Sequence, residues 1–216
     1  MTVVAVDRAA QSRLEQLGLN ADLLVRALLR ADAEANMTTG LEPPTAEGTT
    51  RYIKTVRFIR EELVPLEWRF DNHKNFCRTI HPSGTFSIVT SSGDEFTGVD
   101  LPGMKPSTKY PKGDLTALAV QQNADQGVLD LGADFEEVQA DAADIENIWF
   151  LLQRVTDEEI HAELSLPTAI ENGLIVDWEE RIILPRISRQ DPPPTITLEE
   201  PPAGDDDAYS VDVSIR

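Results

Sequence analysis

The stretch 148-IWFLLQRVTDEEIHAELSLPTAIENGLIVDWEERIILPRI-187 decides the fold of this chain. It contains apolar or alternating runs of strand length, separated by the turn pairs Asp157-Glu158 and Asn172-Gly173. The runs are residues 148–155, 159–166, 174–178 and 181–187. Strands that follow one another through short turns are most economically arranged as an antiparallel meander, which we predict here.

The run 159–166 alternates between polar and apolar side chains. The polar set is His161, Glu163 and Ser165, and the apolar set is Ala162, Leu164 and Leu166. In a strand, such alternation predicts one solvated face and one buried face. His161 is then expected to be a solvated histidine with a raised affinity for protons, because Glu159 and Glu163 flank it.

The N-terminal part of the sequence favours helices. Residues 7–17 form a short amphipathic pattern that Gly18 ends. Asn20 offers a side-chain oxygen to cap a second helix beginning at Ala21. In that helix one apolar stripe recurs at helical spacing, formed by Leu23, Leu24, Ala27, Leu28 and Ala31.

A third helix is predicted between Thr49 or Thr50, which can cap it, and Pro65, which ends it. One face is expected to carry Tyr52, Val56, Ile59 and Leu63, and the rest to carry Arg51, Lys54, Arg57 and Arg60. A cationic helix face is either a solvated surface or a surface that faces a partner or a phosphate, and both alternatives stay open.

Residues 68–113 contain the only cysteine and two of the three histidines. Within them, residues 85–90 (TFSIVT) are rich in β-branched and aromatic side chains and lie between two turns, which predicts a strand. Its hairpin partner is either residues 75–80 or residues 95–99. A long loop then runs from 101 to 113, and Asp114 can cap a further helix.

The predicted fold class is α+β, with N-terminal helices, a central mixed region with short strands, and a C-terminal antiparallel sheet. We expect one compact body over residues 1–187, made of a helical part (1–65), a central loop-rich part (66–123) and a sheet part (148–187). Residues 188–216 are expected to form an acidic, proline-rich tail, in which residues 209–216 alternate like an edge strand. Between the parts, residues 135–144 are either a helix or an acidic arm, and residues 123–147 are a candidate linker.

The charge is distributed unevenly along the chain. Residues 1–50 carry −3, residues 51–112 carry +3 and residues 113–216 carry −19, for a net charge of −19. Direct binding to nucleic acid or to an anionic membrane needs a basic surface, so the composition argues against both. No apolar run approaches the length of about 18 residues that a membrane span requires. The charge favours a basic protein as the partner.

The basic central region supplies the candidate ligand-binding residues. Its loop lysines precede a helix start, where unpaired backbone N–H groups attract anions, although the spacing of a phosphate-binding P-loop is missing. The candidates are Arg78, His81, Asp94, Lys109 and Lys112.

The sequence indicates neither a metal nor a cofactor. His73 and His81, with Asp71 and Asp94, form the only grouping that resembles a metal or acid–base set, and they match neither an HExxH nor a CxxC pattern. No G-x-S-x-G motif occurs, so no catalytic residue is assigned. Cys77 is expected to be a buried structural thiol, compatible with a cytoplasmic location.

Three blocks of the sequence, HPSGTFSIVTSSGDEFTG, STKYPKG and AELSLP with WEERIILP, resemble a family of uncharacterised bacterial and prophage-type proteins of about this size. The resemblance covers residues 51–187. It implies a setting, which is the bacterial cytoplasm in a phage, plasmid or defence context. It carries over no catalytic residues.

Two functions of different classes are compatible with these observations. The first is a non-enzymatic acidic interaction protein that binds a basic protein partner through its acidic C-terminal half. The alternative is a small enzyme or a nucleotide- or phosphate-binding protein with its site in the basic loops of 69–113. A homo-oligomer formed through the C-terminal strand is a further possibility.

Overall fold

The computed structural model describes residues 2–129 and 147–190. Within them the helices are α1 (Asp7–Gln16), α2 (Ala21–Ala35), α3 (Ala46–Leu63) and α4 (Asp114–Leu129). The strands are β1 (Val3–Ala5), β2 (Arg69–Asp71), β3 (Arg78–Ile80), β4 (Phe86–Ser92), β5 (Asn147–Val155), β6 (Glu159–Glu171), β7 (Leu174–Ile183) and β8 (Ile187–Ser188). None of the helices in these residues combines the length and the apolarity that a membrane span requires.

All the described strands belong to one mixed sheet, in the order β1-β7-β6-β5-β4-β3-β2, with β8 pairing the start of β6. Strands β5, β6 and β7 form the antiparallel meander that the sequence predicts. The pairs β1–β7 and β4–β5 are parallel. The α+β class, with helices at the N-terminus and antiparallel strands towards the C-terminus, is therefore confirmed.

The ends of two helices follow from local chemistry. The Asn20 side chain accepts a 2.7 Å hydrogen bond from the backbone N–H of Asp22, so the predicted cap of α2 is confirmed. The predicted caps of α3, Thr49 and Thr50, are wrong, because α3 begins earlier, at Ala46. Its first N–H donates instead to the carbonyl of Pro43, within the turn that the two preceding prolines shape.

The hairpin partner of β4 is β3, which lies in the first of the two predicted alternatives. Residues 95–99 belong to the loop between β4 and α4, here called the central loop (residues 93–113). Residues 135–144, most of the candidate linker 123–147, residues 191–216 of the tail and the strand predicted at 209–216 lie outside the described residues. The division into one body of residues 1–187 and a tail stays a prediction.

Helices cover both faces of the sheet. On one face α1, α2 and α3 form the larger core with the sheet, around Leu28, Trp149 and Leu164, each of which is almost fully buried. On the other face α4 packs over Phe150 and Trp178. Because α4 covers the second face of the sheet, strands of the meander carry apolar side chains on both sides.

The solvated face predicted for the run 159–166 is wrong. Glu163 and Ser165 have no exposed surface and His161 is 8% exposed. The central loop covers this face, and the N–H of Gly98 donates to a Glu163 carboxylate oxygen at 2.8 Å. The alternation is real, but it separates a polar buried layer from an apolar buried layer.

Candidate functional site

Helix α3 has apolar side chains on two faces rather than one. Phe58, Ile59 and Leu63 are buried in the core, whereas Ile53 is 55% exposed and Val64 is 42% exposed. The single predicted face is therefore wrong, because its members divide between the core and the outer side. The signal was present in the sequence, since seven large apolar residues of 52–64 cannot share one helical stripe.

The outer side of α3 faces β2 and the connection from β2 to β3. Phe70 of β2 is 52% exposed on this side. Arg60 fixes the connection, because its guanidinium donates to the carbonyls of Asp71 at 2.9 Å and Arg78 at 3.2 Å and to the Asn72 side-chain oxygen at 2.8 Å. The same guanidinium lies 4.5 Å from the centre of the Phe70 ring.

Between α3 and this connection lies a concave cavity of about 720 Å³, here called the α3 groove. Its walls are mainly apolar. The lining residues are Tyr52, Ile53, Val56, Arg57, Arg60, Glu61, Val64, Pro65, Phe70, Asn72, Asn75 and Cys77.

The cations of α3 are paired within the chain rather than left for solvent or a phosphate. The ion pairs are Arg51–Asp32 at 2.8 Å, Lys54–Glu34 at 2.9 Å and Arg57–Glu61 at 2.6 Å. Arg60 makes the contacts with the β2–β3 connection described above. The cationic side chains of α3 therefore join it to α2 and β2, and most of their charge is already compensated.

A second cavity of about 180 Å³, here called the Lys112 pocket, adjoins the α3 groove and shares Tyr52, Asn75 and Cys77 with it. Its other lining residues are Phe76, Val89, Thr90, Lys112, Thr116 and Phe150. Because three residues line both cavities, the two cavities are adjacent.

The central loop that carries Lys112 is fixed to the sheet at several points. The Trp178 indole N–H donates to the carbonyl of Pro106 at 2.8 Å, and the backbone N–H of Lys112 donates to the carbonyl of Gly173 at 2.8 Å. A side chain at Gly173 would approach the backbone of Lys112 to 3.1 Å. The turn between β6 and β7 therefore holds Lys112 by close backbone packing.

The buried pair of Glu163 and Arg181 anchors the same loop. Arg181 donates to both carboxylate oxygens of Glu163, at 3.0 and 2.6 Å, and also to the carbonyl of Val99 at 3.0 Å. With the Gly98 contact, two successive loop residues bind this pair. Its role in the described structure is positional, because the pair is 0–2% exposed and its donors and acceptors are used within the chain.

Two groups at the junction of the cavities have shifted pKa values. Burial, together with a hydrogen bond to the Cys77 thiol, raises the pKa of Tyr52 to about 12. Burial lowers the pKa of Lys112 from its usual value. Among the described residues that line the two cavities, no histidine occurs and Glu61 is the one carboxylate. The arrangement therefore offers an apolar wall, hydrogen-bond donors and one ammonium group.

The five candidate ligand-binding residues lie in three places. Arg78 in β3 pairs with Asp71, and His81 follows β3, stacks on Phe86 with ring centres 4.7 Å apart and contacts the Ser83 hydroxyl. Asp94 and Lys109 lie on the two sides of the bridge between Gly93 and Thr108, where the N–H of Lys109 donates to Ser92. Of the five, Lys112 lines a cavity described here.

His161 differs from its predicted environment. It is buried, and burial lowers its pKa from the usual value, with Arg154 acting in the same direction. The raised proton affinity predicted from its acidic neighbours is therefore wrong, although Glu159 lies 3.2 Å from its Nε2. The described ranges hold no group of three or more His, Cys, Asp or Glu side chains that fits a metal ion.

Comparison with known proteins gives no relative for this chain. No protein-family model matches it, and neither a curated protein nor a solved structure does. The prophage-type resemblance stays an expectation, and function is argued from the site alone.

Proposed function

We propose that this protein is a non-enzymatic binding protein whose α3 groove holds the apolar body of a small organic ligand. The observation that carries the proposal is the concave apolar volume of about 720 Å³ on one side of α3. Small-molecule sites have volumes of roughly 300–1,000 Å³, with mostly apolar walls and a few placed polar groups. The α3 groove has that size and that lining.

The exposed apolar side chains give the groove its affinity. Ile53, Val64 and Phe70 are each about half exposed in the free protein. Fully burying an aliphatic or aromatic side chain of this size contributes about 1.5–3 kcal/mol relative to full exposure, so covering these side chains favours the bound state. The opposite face of α3 is buried in the core and supports the groove wall from behind.

A titration with the neutral fluorophore N-phenyl-1-naphthylamine tests the proposal. The wild-type protein is expected to bind it saturably at one site, and Ile53→Lys is expected to weaken binding at least tenfold, because it puts a charge in the apolar wall. Leu41→Lys is the matched control, since Leu41 is 98% exposed and is not among the groove-lining residues. Equal binding by both variants would reject the groove as the site.

A second candidate function is the binding of a basic protein partner. Residues 130–146 hold seven acidic and no basic side chains, and residues 191–216 hold seven acidic and one basic, so these two segments carry −13 of the net −19. The remainder of the chain carries −6. This concentration favours steering of a basic partner towards the two segments. The setting we propose, the bacterial cytoplasm in a phage or defence context, rests on the resemblance of the sequence blocks.

The basic-partner proposal is tested with the full chain as bait in bacterial lysate. The matched bait has every Asp and Glu of residues 130–146 and 191–216 replaced by Asn and Gln. We expect basic proteins to be retained by the wild-type chain at 50 mM salt, to be released at 300 mM salt, and not to be retained by the matched bait. Equal retention by both baits contradicts the role of the acidic segments.

A further inference from the structure

The Lys112 pocket differs from the α3 groove in the chemistry of its lining. The groove is mainly apolar, whereas the smaller pocket, of about 180 Å³, has the polar residues Lys112, Thr116 and Asn75 in its lining. The Tyr52 side chain lies between the two cavities and lines both. A molecule that occupies both cavities therefore needs an apolar body and a polar end.

Lys112 is unusual among the lysines of the central loop. Lys105 pairs with Asp177, and the ammonium of Lys109 lies 5.5 Å from the centre of the Tyr110 ring. In the described part of the chain, no carboxylate pairs with Lys112 and no hydrogen bond is formed by its ammonium group. Its ammonium is partly removed from water without a compensating charge, which is unfavourable until an anion binds.

A second polar group of the pocket also lacks a partner. The Thr90 hydroxyl is buried and forms no hydrogen bond within the described residues, although Thr90 lines the pocket. A water molecule does not reach the Thr90 oxygen, so a ligand in the pocket does not contact this hydroxyl unless the side chain rotates. The polar group of the pocket that needs an acceptor is therefore the Lys112 ammonium. A carboxylate consists only of acceptors when ionised.

We propose that the Lys112 pocket binds the carboxylate of a small amphipathic carboxylic acid whose apolar body lies in the α3 groove. The inference rests on the proposed binding function of the groove and adds the chemical class of the ligand. Lys112 supplies the charge. The groove wall from Tyr52 in α3 to Val64, which directly follows α3, supplies the apolar contact over a length of about 18 Å.

The test compares two ligands that differ in the polar end. Dodecanoate and dodecan-1-ol are each titrated, below the concentration at which they aggregate, into the full-length protein with N-phenyl-1-naphthylamine bound. The affinity of each ligand is measured from the displacement of the fluorophore. The wild type is expected to bind dodecanoate about tenfold or more tightly than the alcohol, because a hydrogen bond to a charged group is stronger than one to a neutral group. Lys112→Met is expected to remove this preference and to keep the affinity for the alcohol, which also reports that the variant is folded.

Lys109→Met is the matched control, because it removes a lysine of the same loop that is not among the residues lining the pocket. It is expected to keep the preference for dodecanoate, and so is Thr90→Val, because the Thr90 hydroxyl is closed to water. Equal binding of both ligands by the wild type overturns the carboxylate inference and leaves the groove as the site. Tenfold tighter binding of dodecyl phosphate than of dodecanoate overturns the choice of a carboxylate. Failure of the wild type to bind the neutral fluorophore overturns the proposed function itself.

Discussion

The buried pair Glu163–Arg181 and the partly buried Lys112 differ in whether their charges have a partner within the described residues. At the β6–β7 end, Glu163 and Arg181 are fully buried and bind each other and the central loop. Beside β4 and β5, the Lys112 ammonium has no partner among the described residues, and near β2 the side chains of Ile53 and Phe70 are left exposed. Groups that are satisfied inside the chain hold the fold together. Groups that are left unsatisfied beside a cavity are the ones that a ligand can satisfy.

Removing one charge of the buried Glu163–Arg181 pair should have the largest effect on stability. Arg181→Met leaves Glu163 as a buried carboxylate without its cation and is expected to lower the free energy of unfolding by about 3–5 kcal/mol. The measurement is urea denaturation at pH 7. In the double variant Glu163→Gln, Arg181→Met the uncompensated charge is removed, and more than half of the loss should be recovered. A single variant as stable as the wild type would contradict the role given to the pair.

The two faces of α3 allow the stability effects of a buried and an exposed apolar side chain to be compared within a single helix. Ile59 is 1% exposed and Ile53 is 55% exposed, so the same substitution tests both faces. Ile59→Ala is expected to cost about 2–5 kcal/mol of stability, as large-to-small core substitutions do. Ile53→Ala is expected to change stability by less than about 0.5 kcal/mol. Equal costs in urea denaturation would show that the outer face belongs to the core.

A substitution in the central loop, at Gly98, should have the next largest effect on stability. Gly98 has a φ of 71°, and a side chain there would come within 3.0 Å of Ala162 N and the His161 Cβ. Gly98→Ala is expected to cost about 1–3 kcal/mol. Gly103→Ala is the matched control, because Gly103 has a φ of 79° and open space around it. Both variants put a side chain at a positive φ, so the difference in their melting temperatures measures the steric contact of the loop with β6. Equal melting temperatures would argue against that contact.

The smallest expected effect is on the pH dependence of the free energy of unfolding. Burial lowers the pKa of His161, which faces Glu159, Arg154 and Arg186. The unfolded chain therefore binds the proton more readily, and stability falls as pH falls through the ordinary value of about 6.5. His161→Gln is expected to flatten the decline in unfolding free energy between pH 7.5 and 5.5. Part of the decline should remain, because burial also lowers the pKa of His81. An unchanged profile in urea denaturation at the two pH values contradicts this assignment.

The sequence predicts those parts of the fold that depend on neighbours in the chain. The Asn20 cap, the turn at Asn172-Gly173 and the strand runs 148–155 and 159–166 are local features, and all of them are found. The runs 174–178 and 181–187, predicted as separate strands, are instead joined in one strand that ends at Ile183. The parallel pairing of β1 with β7 joins residues about 177 positions apart, for which no local pattern exists. The burial of Glu163 could not be predicted from local pattern either. The residue that covers it, Gly98, is 65 positions away in the chain.

The candidate site is predictable only in part. Lys112 was found because lysines before a helix start indicate anion binding, and it is the one candidate that lines a cavity described here. The α3 groove was missed because it forms between a helix and a hairpin connection, and neither element shows it alone. The excess of apolar residues on α3 was the available signal.

The most direct test of the account is the effect of a saturating ligand on backbone hydrogen exchange in the full-length protein. With dodecanoate bound, exchange is expected to slow in peptides that cover residues 52–64 and 70–77 and in the segment around Lys112, and to stay unchanged in β5, β6 and β7 apart from their contacts with that segment. Slowing confined to the β5–β7 meander, or no slowing at saturation, would contradict the claim that the α3 groove and the Lys112 pocket bind the ligand.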